Sequence, residues 1–466
     1  MFATSASGAV RRPRSVARDV LAAGAYGRPR TRWRPVRATR SVVPSWGADM
    51  RGRAILALVA FLAGVGPSLA EPRARDLGVP FDGAPGPLNA ITDVAGVEVG
   101  FKTLISGEGA LVRGKGPVRT GVTAVFPRGK ADARAVFAGF FAGNGNGDLT
   151  GTHWVDESGV LETPILITGT GSVGVVRDAT FKWLADHRPG GFFWYPVVGE
   201  TADVPLNDMA GQHVTAKDTF DALDAARPGP VAEGNVGGGV GMVCNGFKGG
   251  TGTASRRLTA QMGGYTVGVL VQCNYGSARG LRIAGIPVAR EMTLQGHCVA
   301  KLTTPPQSIF GTTPKVCDPK KLAIADEPDE EHRGSIIIVI ATDAPLTPEQ
   351  LKRVARRASV GLGRLGAYES DGSGDIFIAF STANAGADDG NWAADASKPA
   401  AVQRLRSAAL NPVLEATVQG VEEAVVNAMV AARTMTGADY WTVSALPHDQ
   451  LQQVLRAHGM LAAPAK

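Results

Sequence analysis

The sequence predicts an α+β protein, because strong local patterns mark both short buried strands and helices. Residues 336–340 are five consecutive aliphatic residues, mostly β-branched and followed by a nearby proline, which is typical of a buried strand. Residues 267–271 form a second apolar run of this kind. Residues 347–350, Thr-Pro-Glu-Gln, have the capping box and the first-turn proline of a helix start.

The other elements follow from the same patterns in chain order. Strands are expected at 135–141, 265–274 and 375–381, with a polar turn at 141–148. Helices are expected at 173–184 with Ser172 as cap, from 347 to about 365, at 412–435 with Asn411 as cap, and at 449–458 before Gly459. The glycine-rich stretch 234–246 is interpreted as a structural turn, because Phe247 stands where a phosphate-binding loop needs lysine.

Ser335 lies where a charged loop, residues 325–331, leads into the aliphatic strand. A self-cleaving precursor needs its nucleophile at such a point, since the loop can leave while the strand holds the new amino terminus. Ser335 Oγ would attack the carbonyl of Gly334, whose missing Cβ lets the scissile peptide take a strained conformation cheaply. The freed α-amine titrates near about 8 and can act as base for its own hydroxyl. By local pattern alone, an ordinary glycine–serine strand start explains the same residues.

Several separate segments resemble one enzyme family in the same order along the chain. They are residues 89–97, 196–201, 206–208, 267–276, 334–346 and 372–384, within a resemblance that runs from about Asp76 to about Leu446. Residues 334–346 resemble the start of the small subunit in the DmpA-type family of L-aminopeptidase D-Ala-esterase/amidases and β-aminopeptidases. The spread of these segments favours one large domain.

The resemblance implies a fold and an activity. The fold is a four-layer αββα sandwich of the DmpA/ornithine acetyltransferase type, layered like the N-terminal-nucleophile hydrolases but connected differently. The activity is that of a self-cleaving serine aminopeptidase or amidase, acting through an acyl-enzyme on Ser335 after cleavage of the Gly334–Ser335 bond. The expected products of the cut are an α subunit, 71–334, and a β subunit, 335–466, assembled as a homo-oligomer. The expected substrates are small peptides or amino acid amides and esters.

Four further side chains match family residues at the active site. By that resemblance, Asn274 at a strand end donates to the developing oxyanion, and Glu200 contacts the amine of Ser335 or of the substrate. Ser373 and Asp375, on a loop that enters a strand, hold the α-amine of the nucleophile. Ordinary interpretations stay open: a turn residue for Asn274, a structural ion pair for Glu200, and a turn for the serine–aspartate pair.

The resemblance also places residues that line the substrate. Asn144, Asn146 and Asp148 belong to an Asn/Gly segment of that kind, although a plain loop explains them equally well. Ala202 stands where L-aminopeptidase members have a tyrosine, and the missing hydroxyl leaves room for a differently shaped substrate, which leans toward β-peptides. Lys248 lies in a Gly-Phe-Lys-Gly-Gly stretch close to the site in the family.

The first 70 residues differ from the rest of the chain. Residues 1–49 hold ten arginines and two aspartates without an apolar period, and are interpreted as an untranslated or disordered leader ahead of a true start at Met50. Residues 50–70 have the basic start, short apolar core and small-residue cleavage site of a signal peptide, with a signal anchor as the alternative. A periplasmic or secreted location is therefore expected.

The positive net charge of the whole chain is not evidence for nucleic-acid binding, because it comes from the first 70 residues. The whole chain carries a formal charge of +6, but loss of the first 70 residues removes 12 basic and 2 acidic residues, leaving 36 against 40, or −4. Neither a nucleic-acid nor a membrane partner is expected for the mature chain. No two of the seven histidines stand four residues apart, so no metal, cofactor or Ser-His-Asp triad is expected.

The four cysteines fall into two pairs along the chain. Cys298 and Cys317 flank a loop rich in proline and threonine; a disulfide between them would fit an oxidising compartment, but the sequence does not decide whether they are bridged. Cys244 and Cys273 are expected to be small buried side chains without a bond between them. A thiol nucleophile at Cys273 is the sharper alternative.

Other functions remain open alongside the aminopeptidase. The same site would suit a β-peptide hydrolase, or a hydrolase of synthetic amide oligomers. Nylon-oligomer hydrolases resemble this family but have threonine at the cut, so the serine argues mildly against the second of these. A non-enzymatic function, as a scaffold or binding protein, is the alternative outside the hydrolases. It predicts a single uncut chain.

Overall fold

The computed structural model describes residues 72–188, 191, 193–303, 314–325, 334–388 and 397–461. The expected leader 1–49, the signal peptide 50–70 and the charged residues 326–333 before Gly334 lie outside the described residues. The strands are β1 Glu98–Ser106, β2 Val118–Phe126, β3 Val136–Gly145, β4 Val160–Leu161, β5 Ile165–Gly169, β6 Val197–Thr201, β7 Val243–Cys244, β8 Phe247–Lys248, β9 Gly250–Arg257, β10 Thr266–Asn274, β11 Leu294–Gln295, β12 Cys298–Val299, β13 Lys315–Val316, β14 Leu322–Ala323, β15 Gly334–Thr342, β16 Ser373–Ser381, β17 Met435–Thr436 and β18 Thr442–Val443. The helices are α1 Thr152–Ser158, α2 Val173–His187, α3 Ala216–Asp224, α4 Pro348–Ala355, α5 Arg357–Arg364, α6 Asn411–Val430 and α7 His448–Ala457.

Two sheets form the centre of the molecule. The larger has six strands in the order β4-β3-β16-β15-β10-β9, and the smaller has four in the order β1-β2-β5-β6. In the larger sheet, β15 runs parallel to β16 and antiparallel to β10. In the smaller sheet, β5 and β6 are parallel, so their carboxyl ends meet at one edge. The remaining two-residue strands pair as β7–β8, β11–β14, β12–β13 and β17–β18.

The two sheets pack face to face through a buried aliphatic core. Ile165 and Val197 of the smaller sheet lie in one cluster with Ile337 and Ile376 of the larger sheet. Side chains alternate between the two faces of a strand, so every second residue of each central strand points into this layer. Side chains on the opposite faces are left for the helices to cover.

Helices cover both outer faces. On the smaller sheet, Leu166 packs with Trp183 of α2 and Leu223 of α3. On the larger sheet, a single buried cluster joins strand residues to helix residues, namely Ile338, Leu351, Leu362 and Val425, the last three from α4, α5 and α6. The order helix, sheet, sheet, helix is the four-layer αββα sandwich, and the expected fold is confirmed.

The unbroken aliphatic sequence of β15 follows from its central position. Ile337 and Val339 face the core between the sheets, whereas Ile336, Ile338 and Ile340 face the core under the helices. Because neither face meets water, no polar residue alternates along the strand. This strand is the rigid support from which Ser335 projects.

Some boundaries differ from those expected. β3 runs through the expected polar turn to Gly145, because its end pairs with β16. The expected helix 347–365 is two helices, α4 and α5, separated by Arg356. α6 begins at Asn411 instead of being capped by it, and it ends at Val430 because Met435 pairs with Val443 in a small sheet. α2 and α7 agree closely with expectation.

Candidate active site

Three strands of the larger sheet place the expected nucleophile beside its expected partners. Ser335 is the second residue of β15 and lies opposite Asn274 in the register with β10. On its other side it lies opposite Gly374 of β16, and Gly334 lies opposite Ser373. The register therefore brings Asn274, Ser335 and the Ser373–Asp375 pair to one end of three neighbouring strands.

The side chains of Ser335 and Asn274 share one face of the sheet. Ser335 alternates in phase with Ile337, which faces the core between the sheets. Asn274 alternates in phase with Gln272, whose Nε2 donates to Thr201 Oγ1 of β6 at 2.8 Å. The serine hydroxyl and the carboxamide thus both point toward the smaller sheet.

The carboxamide of Asn274 is oriented by two backbone groups. Its Oδ1 accepts a hydrogen bond from the N–H of Val243 at 2.8 Å. Its Nδ2 donates to the carbonyl of Ala202 at 3.0 Å. Asn274 is also buried. The expected substrate residue Ala202 therefore enters the site through its carbonyl, at the end of β6.

Glu200 projects from the end of β6 and is buried. Its Oε1 accepts from the N–H of Asp148 at 3.0 Å, and its Oε2 accepts from Thr170 Oγ1. Burial raises the pKa of the Glu200 carboxyl, and the two hydrogen bonds oppose that rise without cancelling it. No ion pair of Glu200 occurs among the described residues, so the interpretation of Glu200 as part of a structural salt bridge has no support there.

Ser373 and Asp375 face the other side of the sheet. Asp375 alternates in phase with Phe377, which lies in the core under the helices. Ser373 Oγ donates to Asp375 Oδ1 at 2.8 Å, and both side chains are buried. Burial raises the pKa of Asp375 to about 6, opposed by the bond from Ser373 and assisted by the charge of Glu369. The pair lies within β16 itself, not on a loop before it.

A cleft lies on that side of the sheet. It is lined by residues that include Asn245, Tyr275, Glu369, Ser373 and Asp375. Because Gly334 pairs with Ser373, the backbone at the expected cleavage point lies next to a residue that lines the cleft. Ser335 thus has its hydroxyl on one face of the sheet and the serine–aspartate pair on the other.

The asparagines of the 144–148 segment brace the start of β16. Asn144 Nδ2 donates to the carbonyls of Asp371 and Ser373, and Asn146 Nδ2 donates to the carbonyl of Gly372 at 3.1 Å. Asp148 meets the site through its backbone N–H, which binds Glu200. These three residues therefore contact the backbone before Asp375 and the carboxylate of Glu200, and each contact involves a backbone group.

Lys248 is fully buried next to the glycine-rich turn. Its Nζ donates to the carbonyls of Met242 at 2.8 Å and Gly249 at 2.7 Å. Burial lowers its pKa to about 7. Its described hydrogen bonds go to this turn, which also provides the Val243 N–H, so Lys248 supports the turn from within.

Both cysteine pairs form disulfides. The Cys298–Cys317 bond, which the sequence left undecided, is present. The expectation that Cys244 and Cys273 are unbonded is wrong, because the structure joins them. With its sulfur in a disulfide, Cys273 is not a thiol nucleophile. The sequence separation of 29 and the lack of any Cys-x-x-Cys spacing gave no signal for this pair.

Two contributors were missed altogether from the sequence. Thr170 holds Glu200, and the N–H of Val243 holds Asn274. The first was within reach, because Thr170 follows a strand that is parallel to the one bearing Glu200. The second is a backbone group, which no residue type identifies.

The described part of the chain contains neither a metal-binding cluster nor a helix that could span a membrane. No group of three or more His, Cys, Asp or Glu side chains there is arranged to hold a metal ion. No helix there is long and apolar enough to cross a membrane.

The four layers, with a serine at the start of a central strand and an asparagine opposite it, define a hydrolase of the N-terminal-nucleophile type of fold. The model of peptidase family S58 matches residues 89–443, and the chain belongs to that family. It is therefore a peptide-bond hydrolase, and the family resemblance of the sequence motifs is confirmed.

Similar proteins agree with this assignment. The chain is 51% identical over 408 residues to beta-peptidyl aminopeptidase BapA of Sphingosinicella microcystinivorans, covering 87% of this chain and 98% of that protein. A solved Burkholderia sp. beta-aminopeptidase matches with a TM-score of 0.71 and 43% identity, over 83% of this chain and 99% of that one. The L-aminopeptidase D-Ala-esterase/amidase of Ochrobactrum anthropi, described as a variant of the Ntn hydrolase fold, matches with a TM-score of 0.71 and 44% identity, over 84% of this chain and 100% of that one.

Proposed function

We propose that this peptidase cuts its own Gly334–Ser335 bond and then uses Ser335 to remove amino-terminal residues, β-amino acids in particular, from peptides and amides. The observation that carries the proposal is the register of β15. It places Ser335 opposite Asn274 and places Gly334 opposite Ser373. A nucleophile, an oxyanion donor and a holder for the new amine are thereby assembled around one peptide bond.

Self-cleavage begins with attack of Ser335 Oγ on the carbonyl carbon of Gly334. Asn274 Nδ2 carries two hydrogens; one binds the Ala202 carbonyl, and the other is the donor assigned to the oxyanion. Collapse of the intermediate breaks the Gly334–Ser335 amide and moves the acyl group to Oγ. The proton that the Ser335 hydroxyl loses ends on the new α-amine. Water then hydrolyses the ester and releases the carboxyl terminus of Gly334.

The freed amine is assigned to the Ser373–Asp375 pair. Because Gly334 is opposite Ser373, the amine emerges beside the hydroxyl that already donates to Asp375. An ionised Asp375 attracts the ammonium form, and the amine in its neutral form accepts the proton of the nucleophilic hydroxyl. Ser373 and Asp375 are thus proposed to orient the base, while Ser335 Oγ attacks from the opposite face.

Glu200 is assigned to the amino terminus of the substrate. It lies on the same side of the sheet as Ser335 Oγ, and its carboxylate is held by Thr170 and the Asp148 N–H. A buried carboxylate without an ion pair among the described residues is suited to a substrate ammonium, which would relieve its desolvation. Asn144 and Asn146 hold the backbone just before Asp375 through the carbonyls of residues 371–373.

The preference for β-amino acids rests on two supports. The Sphingosinicella and Burkholderia relatives are named for β-peptides and β-amino acids. Ala202 also leaves space where a tyrosine is expected in L-aminopeptidase members. An extra methylene between the ammonium and the scissile carbonyl needs that kind of space. Small substrates are expected, since the site is built from strand ends within the sandwich.

Hydrolysis of matched substrates tests the preference. The purified enzyme is given β-alanine p-nitroanilide, L-alanine p-nitroanilide, D-alanine amide and a linear 6-aminohexanoate dimer, with the Ser335→Ala variant as the control for contaminating peptidases. The proposal expects the highest kcat/KM for the β-alanine compound and no activity in the variant. Faster turnover of L-alanine would contradict the β preference, and faster turnover of the hexanoate dimer would favour the amide-oligomer alternative.

We further propose that the enzyme is exported, loses residues 50–70 as a signal peptide, and works as an α chain, 71–334, with a β chain, 335–466, in a homo-oligomer. Two disulfides within the fold support an oxidising compartment. Cell fractionation and analytical ultracentrifugation test location and assembly. An enzyme found in the reducing cytosol, or one that sediments as a single α–β pair, would contradict these parts.

A further inference from the structure

The turn that orients Asn274 is bonded to the strand that bears it. We use the name β7–β8 hairpin for residues 242–249. Val243 of this hairpin donates its N–H to Asn274 Oδ1 at 2.8 Å, and the next residue, Cys244, forms a disulfide with Cys273. Cys273 is the residue immediately before Asn274. The covalent bond and the hydrogen bond are thus adjacent at both ends.

A carboxamide has two ends of nearly equal size, so its orientation depends on its hydrogen-bond partners. The Val243 N–H can bind only the oxygen, and the Ala202 carbonyl can bind only the nitrogen. Together they point the NH₂ group toward the site. A shift of the hairpin would lengthen the first of these bonds and free the carboxamide to rotate.

The hairpin has further attachments at the same point. The N–H of Asn245 donates to the carbonyl of Tyr275 at 2.7 Å, just beyond Asn274. Gly249 lies so close that a Cβ there would come within 2.6 Å of Cys244 Cβ and 2.5 Å of the Cys273 carbonyl oxygen. Both cysteines are fully buried. The disulfide is therefore the covalent link at the centre of this contact.

We infer that the Cys244–Cys273 disulfide is a positioning element for catalysis, which fixes the Val243 N–H against Asn274 and so keeps the carboxamide hydrogen aimed at the oxyanion. The inference rests on the proposed role of Asn274 as oxyanion donor. It predicts that the disulfide acts on the chemical step through Asn274, beyond any contribution that it makes to stability. The two cysteine side chains lie in the core under the helices, on the face of the sheet opposite the Ser335 hydroxyl.

The second disulfide supplies a matched control. Cys298 and Cys317 join β12 to the residue after β13, and neither takes part in the hydrogen bonds of Asn274. The test compares Cys244→Ala/Cys273→Ala with Cys298→Ala/Cys317→Ala, each with and without Asn274→Ala. For each protein kcat and KM are measured on β-alanine p-nitroanilide, or on L-alanine p-nitroanilide if that is the better substrate, per mole of cleaved enzyme.

The expected result is a fall in kcat of about ten- to a hundredfold for the first pair, since small misplacements of catalytic groups have effects of that size. KM should change less than about twofold, because uniform substrate binding is untouched. In the Asn274→Ala background the first pair should cause no further fall in kcat, since the group that it positions is gone. The Cys298/Cys317 pair should leave kcat unchanged in both backgrounds.

An equal fall with and without Asn274 would overturn the inference and leave the disulfide a purely structural role, as would an unchanged kcat in the first pair. Full activity of Asn274→Ala alone would overturn the proposed role of Asn274 and the inference with it. If the alanine pair does not fold, Cys244→Ala/Cys273→Val restores volume on β10 and is judged by the same kcat comparison. If a folded pair is cut more slowly than the wild type, its self-cleavage rate replaces kcat in the comparison: a fall that Asn274→Ala does not deepen supports the inference, and an additive fall overturns it.

Discussion

In the proposed mechanism, the groups that serve Ser335 are divided between the two faces of one sheet. The Ser335 hydroxyl lies on the inner face with the side chain of Asn274. The backbone at Gly334 pairs with Ser373, whose side chain lies on the outer face. A strand makes this division possible because a side chain points to one face while the backbone nitrogen lies in the plane between neighbouring strands. The nucleophile and its own amine can therefore be served by separate groups that do not compete.

Replacement of Asn274 by alanine tests the oxyanion assignment at this scale. Loss of one oxyanion donor lowers kcat by about a hundred- to a thousandfold, and the same loss should slow self-cleavage, since both reactions pass through a tetrahedral oxyanion. Asn235, which binds the Arg433 backbone, provides an asparagine-to-alanine control. Steady-state kinetics and the rate of chain cutting are the measurements; a kcat equal to that of Asn235→Ala would contradict the role.

The raised pKa of the Asp375 carboxyl predicts that the free energy of unfolding depends on pH. In the uncut precursor its pKa is raised to about 6 by burial, above the unfolded value near 3.9. The folded state thus holds the proton more tightly, so this stabilisation is complete below about pH 4 and is lost as pH rises through 6. For a shift of about two units the loss is about 2–3 kcal/mol.

Urea unfolding of two uncut proteins from pH 4 to pH 7.5 measures this effect. Ser335→Ala is compared with Ser335→Ala/Asp375→Asn, which keeps the shape but does not titrate. Other buried carboxyls with raised pKa values, such as Glu200 and Asp203, are common to both and cancel in the comparison. The first protein should lose about 2–3 kcal/mol more than the second over this range. Parallel pH profiles would show that Asp375 ionises normally.

At the scale of elements, the segment before β1 is fastened to α6 by a buried charge cluster. Glu423 of α6 accepts from Arg75 at 2.8 Å and from Arg256 of β9 at 2.8 Å, and Asn89 also donates to it. Burial alone would raise its pKa, but these partners together hold the pKa below the usual value. One carboxylate therefore ties the first described residues, a sheet strand and the long helix together.

Substitution of Glu423 by glutamine should destabilise the protein by about 3–5 kcal/mol, because it leaves the buried guanidinium of Arg256 without its counter-charge. Glu415→Gln, on the exposed side of the same helix, should change stability by less than about 0.5 kcal/mol. Urea denaturation at pH 7 gives both values. Similar midpoints for the two variants would mean that the cluster contributes little net stability.

Local patterns predicted the elements that carry the site but not their limits. The aliphatic run of β15 and the capping box at Thr347 were sufficient to predict a strand and a helix start. Burial on both faces requires apolar residues, and a helix start favours particular capping residues. The break between α4 and α5 left none, since Arg356 keeps helical dihedral angles. The early end of α6 came from pairing of Met435 with Val443, a long-range choice that helix propensity does not register.

At the scale of the whole molecule, the sheet order was beyond local inference. Strand β15 pairs with β10 and β16, which come from either side of it in the sequence, and nothing in one strand specifies its neighbours. Family resemblance supplied the sandwich, and with it the meeting of Asn274, Ser335 and Ser373. The Cys244–Cys273 pairing escaped because it depends on how a glycine-rich turn folds back on a strand.

In the proposed maturation, one polypeptide becomes two chains at a single bond, Gly334–Ser335. Intact-mass spectrometry of the purified protein, beside Ser335→Ala, measures this directly. Two chains are expected in the wild type, one beginning at Ser335 and the other ending at Gly334, and one uncut chain is expected in the variant. A single chain in the wild type, or a cut that persists in Ser335→Ala, would contradict the claim; an uncut, inactive wild type would favour a scaffold role instead.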